Sequence, residues 1–197
     1  MAFNQTSAGK LLDSPLTFWM LLTVPALPML ANIAGGSNIQ RLLHPSGEFS
    51  ARFMIVAMML TPLVMLFPRF HPLRWLMRRR RYLGVAAFGY GLLHAIAYVA
   101  YKSPALIASE ALEPALLTGW LAFIIFVPLA LTSNDAAVRA MGRTWKSLQR
   151  WVYFAALFTV IHWLLLEYEV GPAVAHFAPL AALEAYRVWR SLAAARA

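Results

Sequence analysis

RRYLGVAAFGYGLLHAIAYVAYK, residues 80–102, decides the fold. Between Arg81 and Lys102 it holds no formal charge over residues 82–101. As a helix rising 1.5 Å per residue this run covers about 30 Å, the thickness of a bilayer's hydrocarbon core. It contains one imidazole, His94. A second run, RWVYFAALFTVIHWLLLE, residues 150–167, repeats the pattern with His162 between Arg150 and Glu167. An ionisable group at membrane depth is rare and usually functional, and imidazoles on facing helices are a familiar way to hold haem iron.

Composition supports that reading. The chain has 197 residues, 61% hydrophobic and 13% charged, whereas soluble domains carry about a quarter charged residues. The sequence predicts an all-α integral membrane protein, one domain over 1–197, with the lipid bilayer as its surroundings. There is no cysteine, which excludes disulfides, cysteine-held iron–sulfur clusters and thioether-linked haem, and leaves non-covalent haem b as the simplest redox centre. No metalloprotease motif, P-loop or Ser-His-Asp set is present. Gly84, Gly89 and Gly91 lie inside a membrane helix and make no dinucleotide fingerprint. An electron-transferring subunit of an oxidoreductase system is expected, rather than the holder of a terminal substrate site.

Apolar length gives six spans, about 15–34, 50–67, 82–101, 114–132, 151–167 and 170–189, the first kinked near Pro25 and Pro28. With both termini cytoplasmic, 14 of the 17 Lys and Arg fall inside, and only Arg41, Arg52 and Lys102 outside, as positive-inside bias requires. The net charge of +9 then forms a ring at the membrane, and no nucleic acid is needed to explain it. His94 and His162 come 13 and 12 residues after Arg81 and Arg150, so both sit roughly 18–20 Å from the cytoplasmic boundary. Gly84, Ala87 and Gly91 share the His94 face and leave a groove for a flat macrocycle. The plain alternative is a small-residue helix contact with His94 bonding across it.

At this point the residues resemble a family. RRYLGVAAFGYGLLHAIAY (80–98) and TSNDAAVRAMGRTWKSLQRWVYFAALFTVIHWLLLEY (132–168) look like the MsrQ (YedZ) proteins of the ferric-reductase-like transmembrane superfamily. The resemblance implies a six-span bundle in the bacterial inner membrane that binds haem b through His94 and His162. It also implies a quinol or a cytosolic flavin reductase as donor, with quinone or FMN as further cofactors, and a periplasmic molybdopterin enzyme that reduces methionine sulfoxide as acceptor. One position departs from the pattern. Gln149 stands where the family has a histidine associated with a second, inner haem. An amide is a poor iron ligand, so one haem is expected and two only if another group, such as His71, serves the inner iron. His71 reads more simply as part of an interfacial turn.

Other candidates are weighed against plain roles. His176 lies within reach of the His94 plane as an axial ligand, a propionate partner or a donor to a ligand, or it simply packs. His44 reads as a solvated loop residue. Arg78 and Arg79, in the run Arg78–Arg81, are candidates for haem propionates as well as positive-inside anchors. Trp and Tyr residues cluster at span ends and read as an interfacial belt, with Trp163 and Tyr98 also candidates to border the macrocycle. Glu110, Glu113, Glu167 and Glu169 make the outer face acidic, a docking surface for an acceptor. Two other functions fit the same features: a single-haem metalloreductase-like or quinol-linked cytochrome with another acceptor, and a non-redox membrane scaffold that has lost haem.

Overall fold

The computed structural model describes residues 14–166 and 170–196, and among these every regular element is helical. Helix α1 (Pro15–Thr23) and α2 (Ala26–Ala34) meet at Val24-Pro25 with a bend of 51°. A 3-10 turn, Ile39–Leu42, leads into α3 (Leu43–Leu66), and the short α4 (His71–Arg78) breaks at Arg79 into α5 (Arg80–Tyr101). Helix α6 (Pro104–Glu110) precedes α7 (Pro114–Leu131), after which α8 (Asp135–Met141) and α9 (Arg143–Gln149) lead to α10 (Val152–Leu166). The last is α11 (Val170–Arg196).

Local chemistry sets these boundaries. Pro15, Pro104 and Pro114 stand in the first turns of α1, α6 and α7, where a missing N–H costs nothing and a fixed φ favours the helix. Ser103 and Asn134 accept hydrogen bonds from Leu106 N and Ala137 N as N-caps. Gly142 turns α8 into α9 with φ 53°, a left-handed conformation that a Cβ would strain.

The stretches Ile39–Leu66, Arg80–Tyr101, Pro114–Leu131 and Arg143–Leu166 are long and apolar enough to cross a bilayer, and the bent α1–α2 pair makes a fifth if it crosses as one. Helix α11 has 27 residues, but Glu184, Arg187, Arg190 and Arg196 occupy its C-terminal half, and it is not among them. The second helix starts earlier than residue 50 because Pro45 lies in its first turn, where proline is tolerated. His44 therefore sits on a helix rather than in a loop, its exposed ring 3.9 Å from Glu48. His71 likewise opens α4 instead of lying in a turn, with Pro72 in the first turn.

Packing follows membrane logic. The most deeply buried residues include Ala51, Ala87, Ala97, Ala155 and Ala173, all at most 1% exposed, while Ile124, Leu131 and Leu157 point outward. Small side chains let helix backbones approach where lipid supplies no hydrophobic drive between helices. Polar groups are spent on inter-helix bonds: Ser50 Oγ donates to Ala87 O at 2.8 Å, and Tyr90 OH to Leu22 O at 3.0 Å, beside the α1–α2 break. At the Arg81 end, Trp145 Nε1 donates to Thr132 O at 2.9 Å, and Gln149 Nε2 to Leu129 O and Thr132 Oγ1, both at 3.1 Å. Helix α9 thus satisfies carbonyls that the end of α7 leaves without intrahelical partners.

Candidate functional site: a paired-histidine cavity

Helices α3, α5, α7 and α10 enclose a cavity of about 100 Å³, partly open, lined by Gly47, Ser50, Gly91, His94, Tyr98, Gly119, Trp120, Phe126 and His162 among others. His94 and His162 face one another across it, ring centroids 6.2 Å apart and planes at 89°.

Each ring is tethered by Nδ1 to a carbonyl on a neighbouring helix, His94 to Leu43 O at 2.8 Å and His162 to Ala115 O at 2.6 Å. A carbonyl only accepts, so both Nδ1 atoms donate, and each neutral ring keeps its lone pair on Nε2. Neither Nε2 has a hydrogen-bond partner among the described residues. This is the arrangement by which proteins fix the tautomer and aim of a metal-binding histidine.

Glycine makes the room. A Cβ on Gly119 would lie 2.6 Å from His162 Cε1, and one on Gly47 would lie 3.0 Å from His94 Nδ1. Gly91, singled out from the sequence, does line the cavity, but its closest neighbour is Ser50 Oγ, 3.1 Å from where its Cβ would stand. The groove and the helix-contact readings of that stripe thus both apply. Gly47 and Gly119 escape sequence reasoning, although a glycine inside an apolar helix costs about 1 kcal/mol relative to alanine and usually has a packing reason.

The other candidates lie elsewhere. His176 packs its ring on Trp163 at 5.2 Å, donates from Nδ1 to Pro172 O at 2.7 Å, and accepts from Arg52 Nε at 3.1 Å. Its lone pair is committed in this arrangement, and neither it nor Trp163 lines the cavity. Arg52 also pairs with Glu48. Arg78 is exposed at the end of α4, and the buried Arg79 places its guanidinium 4.1 Å over the Trp75 ring. Neither arginine lines the cavity. Gln149 borders a smaller cavity of about 60 Å³ with Gly84, Ala87, Phe126 and Ser133, to which His71 does not contribute. Glu167 and Glu169 fall outside the described residues.

Two ion pairs mark the ends of the bundle. At one, Arg81 binds Asp135 at 2.6 Å, and this bond holds the Asp135 carboxyl below the ordinary carboxylate range. At the other, Lys102 Nζ contacts both oxygens of Glu110 at 2.7 and 2.6 Å, which pushes the ammonium above its ordinary value. Tyr98 OH, from the cavity wall, donates to the same Glu110 at 3.4 Å.

Among the described residues no group of three or more His, Cys, Asp or Glu forms a metal site. The ferric reductase like transmembrane component family matches residues 46–160, which take in α5 and α7 whole and most of α3 and α10, and include His94 but end two residues before His162. The chain is 32% identical over 162 residues to the protein-methionine-sulfoxide reductase heme-binding subunit MsrQ of Azospira oryzae, covering 78% of this chain and 68% of that one. It is 33% identical over 141 residues to the MsrQ of Rhizobium meliloti, 70% and 63% of the two chains, and 31% identical over 185 residues to that of Brucella ovis, 87% and 81%. It thus spans about two thirds of the first two relatives. No solved structure matches it. Apolar helices and these relatives together place it in the bacterial inner membrane as a multi-pass protein. The chain belongs to the ferric-reductase-like transmembrane family and, within it, is of the MsrQ (YedZ) type.

Proposed function

We propose that this protein is a b-type haem electron-transfer subunit in which His94 and His162 are the axial ligands. The observation that carries the reading is the pair of rings, each tethered through Nδ1 to a carbonyl, facing across a glycine-lined cavity. When bound, the haem supplies a one-electron carrier whose potential depends on its axial ligands and the polarity of its pocket. The protein's part is to orient the imidazoles, hold their protons on Nδ1 and keep the site largely apolar.

In this reading the chain is one domain, 1–197, with six spans and both termini cytoplasmic, α11 forming the sixth. Electrons enter from a quinol or a cytosolic flavin reductase. They leave to a periplasmic acceptor, a molybdopterin methionine-sulfoxide reductase, a reading supported by relatives named as heme-binding subunits of a protein-methionine-sulfoxide reductase. A single haem is favoured, because the Gln149 amide is engaged with Leu129 and Thr132.

A reduced-minus-oxidised spectrum with a pyridine haemochrome count tests the reading. About one low-spin haem per chain is expected in the purified protein, and His94→Ala and His162→Ala each lose most of it, while His176→Ala keeps it. Unchanged haem content and spectrum in both of the first two variants would remove the ligand assignment.

A further inference from the structure

A haem carries two carboxylates, and a carboxylate at the edge of an apolar cavity needs a cation or hydrogen-bond donors. The basic run does not supply them. Arg79 precedes His94 by 15 residues, about 22 Å of helix, and its guanidinium lies on Trp75. At the other end of the cavity, Gly91, Tyr98 and Lys102 repeat at seven and four residues along α5, one helical face. Gly91 and Tyr98 line the cavity, so Lys102 stands at its mouth on the same face.

That mouth already grips a carboxylate. Lys102 Nζ contacts both Glu110 oxygens, at 2.7 and 2.6 Å, and Tyr98 OH reaches the same group at 3.4 Å. The lysine and glutamate side chains are only 26% and 23% exposed, so their attraction is less screened than that of a surface pair. Arg52, a second cation at this end, is held by Glu48 and His176.

We propose that Lys102 and Tyr98 form the carboxylate-binding end of the cofactor site, with Glu110 occupying the place that a haem propionate would take. The proposal rests on the haem reading above. It takes the propionates away from Arg78 and Arg79 and assigns them to the opposite end of the bundle.

The test compares haem b with its dimethyl ester, in which both carboxylates are masked, for binding to the full-length haem-depleted protein in detergent. Wild type is expected to prefer haem over the ester by about tenfold, the size of one charge-assisted bond. Lys102→Gln loses most of that preference by weakening haem alone, Lys102→Arg retains it, and Tyr98→Phe reduces it less. Arg78→Gln leaves it unchanged. Glu110→Gln removes the competing carboxylate and strengthens haem binding but not ester binding, which keeps the idea testable if Lys102→Gln does not fold. A wild-type preference that survives in Lys102→Gln, or a Glu110→Gln variant that binds both probes as wild type does, overturns the proposal. Wild type binding haem and ester equally overturns the proposal while leaving the haem reading in place, whereas wild type binding neither overturns the haem reading itself.

Discussion

The His162 ring lies against the backbone of Gly119, where an added methyl would stand 2.6 and 2.7 Å from Cε1 and Nδ1. Such contacts lie well inside van der Waals separation, and the ring cannot yield freely because its Nδ1 is bound to Ala115 O, one turn earlier on the same helix. Gly119→Ala is therefore expected to swing His162 off its aim without unfolding the bundle. Haem content should fall several-fold while far-ultraviolet circular dichroism stays that of wild type, and normal haem loading in this variant would mean that the ring's position against Gly119 is immaterial. At Gly47 the same methyl would sit 3.0 Å from His94 Nδ1, so Gly47→Ala should act in the same direction more mildly. His94 and His162 were legible as lone imidazoles in charge-free runs. The two glycines opposite them were not, because nothing in a helix's own sequence says which ring a neighbouring helix brings to it.

Among the elements, α9 depends on α7 through side chains. Gln149 Nε2 and Trp145 Nε1 satisfy oxygens at the end of α7, where carbonyls lack intrahelical partners. Gln149→Ala removes both amide bonds and is expected to cost about 1–2 kcal/mol, read as a lower midpoint in detergent-monitored unfolding; an unchanged midpoint would show that the amide does not hold the two helices together. Gln149→His brings one imidazole to a cavity of about 60 Å³ whose lining offers no second one, so the haemochrome count should stay near one per chain. A count near two would show that another group completes an inner site. The positions of α5, α7 and α10 followed from the lengths of their apolar runs. The early start of α3 did not, since HPSGE over residues 44–48 has the composition of a turn yet forms the helical wall beside His94.

For the whole molecule, the ends of the bundle carry the titrating ion pairs. Asp135, whose carboxyl Arg81 holds low, contributes its tie between α5 and α8 above the ordinary carboxyl pKa of about 3.9, and loses it as pH falls through the depressed folded value. Acidification should thus weaken wild type more than Asp135→Asn, with the two profiles converging at the lowest pH, and parallel profiles would show the pair to be without effect. At the opposite end, Glu113 is exposed and is a carboxylate available for steering an acceptor. Glu113→Lys is expected to slow electron delivery several-fold at low salt and less at high salt, with haem content intact; equal rates would argue against docking at this face. The membrane class and the matched spacing of His94 and His162 from Arg81 and Arg150 were determined by the sequence alone, because they depend on composition and on position along the chain. Only the tertiary structure decided that these two rings face each other, that Leu43 and Ala115 hold their protons, and that the His176 lone pair goes to Arg52. In a bilayer both the lipid-facing and the buried sides of a helix are apolar, so helix rotation leaves little trace in the residue pattern and is set by how small residues and inter-helix hydrogen bonds fit together.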